Sequence, residues 1–397
     1  MVSRPGSSPD EAVPILPSLK FGVVGIGRIG RRHALNLLRR VPKAKLVCVC
    51  SPAQADLEWA KRELARYGVS IFSSFDEMIQ FPGLQAVVVS SLTTLHYQHT
   101  LESLRRGIHV LCEKPVCHTV DELDGLIELA ATNPQVCLMI GFTRRFDESY
   151  EEALQKVKSG DYGAPIAFDS QAAEPLSHSE FSHNYFKSCG GIFFDSAIHD
   201  IDLSLMFLST SQPSAGAHAS GSVRNTEPLR PRQCFAVGTV SEFTSLRSPA
   251  EHASHRGDAD NARGVVQFSS GQIASYFNSR TAAAGGGYDN STDIRCERGK
   301  ISVNLESRKN RVSVHDSNGV GWRAPDDWYD RYREGFVSEV VEFVDGILDK
   351  REFRITLPEV RMGLEIALAL QESLEKGGTV WFDESGRRSH REGGIVD

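Results

Sequence analysis

The run GGIFFDSAIHDIDL (190–203) sets Asp195, His199 and Asp202 amid apolar residues. In one continuous helix, at about 100° per residue, spacings of four and three put them on one face. Phe194, Ile198, Ile201 and Leu205 then gather on the adjoining face. Such a trio either caps a helix and satisfies a core histidine, or supplies acid–base groups. A second candidate is Lys114, which ends the apolar run IHVLCEK. Pro115 follows it and biases it towards an extended backbone, which holds the ammonium at the strand end. The bland alternative is a surface lysine paired with Glu113 or Asp121.

The elements that must position these groups are legible upstream. From Lys20, short unbroken apolar runs (KFGVVGI, AKLVCVC, QAVVVSS, IHVLCEK, QVCLMIGF) are divided by helical stretches such as 94–106 and 119–132. Strands without polar alternation, separated by single helices, predict a parallel sheet buried on both faces. The first strand leads into Gly25-Ile26-Gly27-Arg28-Ile29-Gly30, a GxGxxG that also opens a helix. In that context Gly25 makes the tight turn, Gly27 admits a pyrophosphate and Gly30 allows close helix–strand packing. The helix N-terminus offers its free N–H groups to phosphate. Ligands of such sheets lie outside the carboxyl ends of the strands. The expected cofactor contacts are therefore Gly25, Gly27, Arg28, Ile29, Gly30, Ser51, Ser90, Ser91, Leu92, Thr93, His96, Glu113 and Lys114.

Composition narrows the class. The chain has 397 residues, 40% of them hydrophobic, enough for two cores. A net charge of -7 and a pI near 6.0 argue against a nucleic-acid surface. The eight cysteines show no zinc spacing and sit mostly in apolar runs, so no metal is expected and a reducing, cytoplasmic location is. No apolar run reaches the roughly 18 residues of a membrane span. The start (1–19) and end (385–397) read as flexible tails.

The motifs GVVGIGRIGRRHA, VLCEKPV, GFTRRFD and GGIFFDSAIHDIDL, in this order, resemble the glucose–fructose oxidoreductase/inositol dehydrogenase/MocA family. The likeness runs from about Lys20 to Phe382. It implies an α/β fold, with an N-terminal Rossmann domain (20–142) and a C-terminal α/β domain (143–384). That second domain would carry a large, mostly antiparallel open sheet, commonly the interface of a homodimer or homotetramer. By the same resemblance Lys114, Asp195 and His199 form the catalytic set, with His199 as base, Asp195 orienting it and Lys114 stabilising an alkoxide. The implied reaction is hydride transfer between NAD(P) and a secondary alcohol or ketone of a sugar, inositol or related polyol. Two other readings remain at this point: a dinucleotide-binding regulator of sugar metabolism, and a reductase of imines or enones.

Departures from the family pattern matter as well. Ser51 stands where many NAD-dependent members carry Asp, which predicts either weak discrimination or a modest preference for NAD over NADP; Arg28, one residue beyond Gly27, is the arginine expected to reach a 2′-phosphate. Thr143 replaces a frequent Asn. Arg145, with Tyr185 and Lys187 in a polar aromatic loop, is expected to help Asp195 and His199 touch substrate. Residues 224–262 read as a polar insertion with loops on either side of CFAVGTVSEF. The later runs around 264–316 predict strand–turn–strand patterns. Helices are expected near 330–349 and 358–376, then a short strand at TVWF.

Overall fold

The run after Lys20 forms strand β1 (Leu19–Val24), buried at all but one position. In the computed structural model, which describes residues 17–175, 189–210, 229–240, 258–282, 287–317 and 319–389, β1 sits inside a six-stranded sheet. Its companions are β2 (Ala44–Cys50), β3 (Ser70–Phe72), β4 (Ala86–Val89), β5 (His109–Glu113) and β6 (Leu138–Gly141). The order is β3-β2-β1-β4-β5-β6 and every pairing is parallel. Helices α1 (Arg28–Arg39), α2 (Gln54–Glu63), α3 (Phe75–Met78), α4 (Thr93–Arg105) and α5 (Val120–Thr132) connect the strands. Strand order reverses beside β1, and the crevice at such a switch point is where nucleotides bind. Strand β3 escaped the sequence reading because it is three half-buried residues with no apolar run of its own.

After α6 (Glu148–Lys158), strand β7 (Pro165–Pro175) opens a second sheet. The run at 190–208 is not one helix. It divides into α7 (Ile192–Asp195) and α8 (Ile198–Leu208), with a turn at Ser196–Ala197. The Ala197 N–H reaches back five residues to the Ile192 carbonyl (3.0 Å), where an α-helix would reach four. This slip rotates α8 relative to α7, so Asp195, His199 and Asp202 do not form the single stripe that uniform spacing predicts. Gly190 and Gly191, both at positive φ (87° and 99°), fix the entry, and the Ile192 N–H is capped by Asp258 (2.9 Å).

The second sheet continues through β8 (Pro231–Thr239), β9 (Asn261–Phe268), β10 (Ile273–Ala282), β11 (Asp289–Cys296) and β12 (Gly299–Val303). A small separate hairpin, β13 (Val314–Asp316) with β14 (Gly319–Gly321), comes before α9 (Trp328–Asp349) and α10 (Leu357–Lys376). Strands β15 (Val380–Phe382) and β16 (Arg388–Ser389) complete the order β12-β11-β7-β10-β9-β8-β15-β16. Among the described strands of this second sheet, only β7 and β10 pair in parallel. Two expectations are corrected here. Pro231-Arg232-Gln233, read as loop, begin a nine-residue strand paired with β9. The ordered chain also runs past 384, because Arg388 is held by Glu365 (3.0 Å) and Glu372 (3.5 Å) of α10.

The last two helices join the halves. Along α9, Phe343 meets Phe21 of β1 (6.2 Å between rings), Phe336 meets His33, and Asp345 takes Lys43 (2.9 Å). From α10, Arg361 grips Asp124 of α5 (2.6 Å). At this junction Glu339 of α9 is fully buried, neither carboxyl oxygen bonded among the described residues, beside the His33–Glu113 pair (2.7 Å). Burial, reinforced by the Glu113 carboxylate, pushes Glu339 well above the usual carboxyl range. Folded Glu339 therefore keeps a proton that it loses when unfolded, and stability declines as pH rises above about 4.5 towards the folded pKa. Glu339→Gln keeps the shape and removes that dependence. Its thermal midpoint should match wild type near pH 5 and exceed it at pH 8, by about 1–3 kcal/mol of stability. Equal midpoints at both pH values would mean the carboxyl is ionised in the fold.

Candidate active site

The glycine turn is shaped as its spacing demands. Gly25 has φ of 81°, and a Cβ there would sit 2.5 Å from the Ser91 backbone. A Cβ at Gly30 would lie 1.8 Å from the Gly25 carbonyl oxygen, while one at Gly27 would meet nothing within 4 Å. Gly27 is also the N-cap of α1 and gives it no side-chain cap. An open cradle at an uncapped helix N-terminus is the form that accepts a pyrophosphate. Ile29, in that first turn, packs against the core.

Other expected cofactor contacts are committed elsewhere. The Ser90 hydroxyl donates to the Gly25 carbonyl (2.8 Å), and that of Ser91 bonds His99 (2.9 Å). Both ring nitrogens of His96 lie against carbonyls, of Pro115 (2.8 Å) and Ser91 (3.0 Å), so His96 ties α4 to the loop after β5 and offers no nitrogen to a ligand. Glu113 is buried on His33 and faces the core rather than the crevice. Leu92, 63% exposed, and Thr93 do lie at the mouth, at the start of α4. Arg28 stacks on Trp328 (5.0 Å), towards the second domain, and so does not serve the adenosine end.

Lys114, at the end of β5, reaches across to the second domain. Its Nζ donates to the main-chain oxygen of Asp195 (2.8 Å) and lies 3.4 Å from its Oδ1. The side chains are 14% and 10% exposed. His199 stands on the first turn of α8, edge-on to Phe142 (6.1 Å), with its Nδ1 buried and unbonded among the described residues. Burial pushes its imidazole well below the usual 6.5, and the Lys114 ammonium and Arg144 guanidinium add to the push. Asp195, expected to orient His199, is not among the charges that shift the imidazole, and its Oδ1 lies 3.4 Å from the Lys114 ammonium.

Two arginines follow in the 143–146 turn. Arg144 pairs with Asp200 (2.6 Å) and donates to Tyr288 (2.8 Å). Arg145, expected at the substrate, instead makes a bidentate pair with Asp202 (2.8 and 2.8 Å) and bonds Glu359 (3.1 Å). At 4% exposure it is a strut between α8 and α10, and it takes Asp202 out of the candidate trio. Tyr185 and Lys187 lie outside the described residues.

Two groups were missed. Glu174, near the end of β7, has its carboxyl raised by burial and by Asp195, with Arg28, Lys114 and Arg280 close enough to oppose this. Arg280 of β10 is buried on Asp258 (2.7 Å). Neither belongs to a motif, and only the pairing of β7 with β10 brings them together. Glu174, Asp195, Lys114 and Arg280 thus share one electrostatic neighbourhood, and Lys114 together with Arg144 also acts on the His199 imidazole.

The family model for an oxidoreductase family with an NAD-binding Rossmann fold matches residues 19–142, and the GFO/IDH/MocA C-terminal domain matches 150–302. The chain belongs to the GFO/IDH/MocA oxidoreductase family. Within this family it is similar to a scyllo-inositol 2-dehydrogenase (NAD(+)) of Bacillus subtilis, 26% identical over 92% of this chain and 96% of the relative. A myo-inositol 2-dehydrogenase of Thermotoga maritima is 27% identical over 92% of this chain and 99% of the relative. Among solved structures, a scyllo-inositol dehydrogenase from Lactobacillus casei with bound NAD(H) and scyllo-inositol superposes with a TM-score of 0.80. It is 29% identical, and the match covers 92% of this chain and 99% of that one. The GFO/IDH/MocA chain is thus an oxidoreductase built on an NAD-binding domain, and its glycine cradle fits that cofactor.

Proposed function

We propose that this chain is an NAD-dependent dehydrogenase of a ring secondary alcohol, with inositols as the substrate class. The observation that carries the reading is the meeting of Lys114, from the end of a Rossmann strand, with Asp195 and His199 from the second domain. NAD bound in the cradle would accept the hydride. His199, neutral over the physiological range, takes the hydroxyl proton. The Lys114 ammonium stabilises the oxygen as negative charge develops on it. Asp195 holds that ammonium, a role different from orienting the imidazole. Glu174 and Asp195 add acceptors suited to several hydroxyls of one ring. The inositol dehydrogenases among the relatives support the polyol class.

Absorbance at 340 nm over a panel of inositols and sugars tests the reading. NAD reduction with at least one inositol is expected. Tight NAD binding without turnover of any polyol would favour a sugar-metabolism regulator instead.

The second sheet supports a closed assembly of this chain. Phe235, Val237, Val265 and Ile273 are 40–53% exposed along β8, β9 and β10, and Phe235 lies directly opposite Val265. Helices α8 and α10 cover the other face. An apolar face of this kind suits face-to-face pairing with a second copy. Light scattering behind size exclusion should give a dimer or tetramer at micromolar concentration, and Val265→Asp should shift it towards monomer. A wild-type monomer would refute the assignment.

A further inference from the structure

At the end of β2, beside the glycine turn, the chain lacks the acidic residue that usually takes the adenosine ribose 2′-hydroxyl. Ser51 occupies that place, 3% exposed, and its hydroxyl is spent on Asp56 Oδ2 (2.8 Å). Asp56 comes from the first turn of α2 and remains partly open to solvent, its side chain 18% exposed. Its other oxygen takes Arg31 Nη2 (2.7 Å). Arg31 is itself aimed by a bond from Nε to the Ile26 carbonyl (3.1 Å), inside the glycine turn, and its guanidinium lies over Trp59 (5.0 Å). The main chain binds this corner to the cradle, since the Gly25 N–H donates to the Cys50 carbonyl (2.9 Å). One carboxylate, one guanidinium and one hydroxyl therefore meet where the adenosine ribose is expected.

Resting on the reading of this chain as an NAD enzyme, we propose that Asp56 selects the cofactor. It accepts the ribose 2′-hydroxyl and repels a 2′-phosphate, supplying from α2 what the end of β2 lacks. A carboxylate has about four acceptor positions, so bonds to Ser51 and Arg31 leave room for a third donor. Arg31 is the cation best placed to welcome a 2′-phosphate, and the same carboxylate neutralises it. A phosphate entering here would meet Asp56 before it gained Arg31. Removing Asp56 both lifts the repulsion and releases the arginine, so preference should move towards NADP rather than simply fade.

Binding of NAD+ and NADP+, each measured by titration calorimetry without substrate, tests the proposal. Wild type should prefer NAD+. In Asp56→Ala and the isosteric Asp56→Asn, the ratio of dissociation constants should shift towards NADP+ by about tenfold or more, mostly through tighter NADP+ binding. Adding Arg31→Ala to Asp56→Ala should abolish the gain for NADP+. Thermal melts of each variant confirm folding. If both Asp56 variants fold and keep the wild-type ratio within about twofold, the assignment is overturned while the NAD reading stands. Wild-type protein that binds neither dinucleotide would overturn both.

Discussion

Replacing His199 with Asn should lower kcat for alcohol oxidation by about 100-fold to 10000-fold, the scale of a lost general base. NAD affinity should hardly change, because the cradle of Gly25, Gly27 and Gly30 belongs to the other domain. The pH profile carries the sharper test. An imidazole held well below 6.5 by burial, Lys114 and Arg144 is neutral at pH 7 and ready to take a proton. Oxidation by wild type should therefore hold its rate down to about pH 6 and fall only in more acid solution. Ketone reduction needs the protonated ring and should weaken across the neutral range as pH rises. The Asn variant should lose the acid limb entirely. If it keeps the wild-type kcat and profile on its true substrate, His199 only lines the crevice.

Lys114→Met should cost kcat and kcat/KM alike by about 100-fold to 1000-fold, since the ammonium matters most as charge develops on oxygen. A structural role would predict something else: a raised KM or a lower melting point with kcat preserved. The variant also reports on His199. Lys114 is one of the two cations that depress the imidazole, so its removal should carry the acid limb of the residual activity towards higher pH. An unmoved limb would break the proposed coupling between the two groups.

Sequence and structure agree best where local chemistry decides. The unbroken apolar runs became five of the six parallel strands, and GxGxxG became a cradle because each glycine meets a separate steric demand. Lys114 was legible from a strand end and a following proline. What failed were inferences that assumed a uniform helix or read a polar residue as free. The residue slipped at Ser196–Ala197 has no signature in the composition of 190–208. Arg145, His96 and Glu113 are polar residues near the crevice, with partners as far as 214 positions away in the chain. Asp56 and Glu174 were hidden for the complementary reason: each comes from an element that no motif marks.

Lys114 makes its shortest contact with the main-chain oxygen of residue 195, and only a longer one with the carboxylate. A carbonyl survives any substitution at its own position. The lysine could therefore stay anchored while the side chain at 195 drifts, so long as α7 keeps its place. The placement of Lys114 is thus insulated from sequence change at position 195. In evolutionary terms, if Lys114 acts as proposed, this scaffold could explore different substrates at residue 195 without first rebuilding the lysine's anchor.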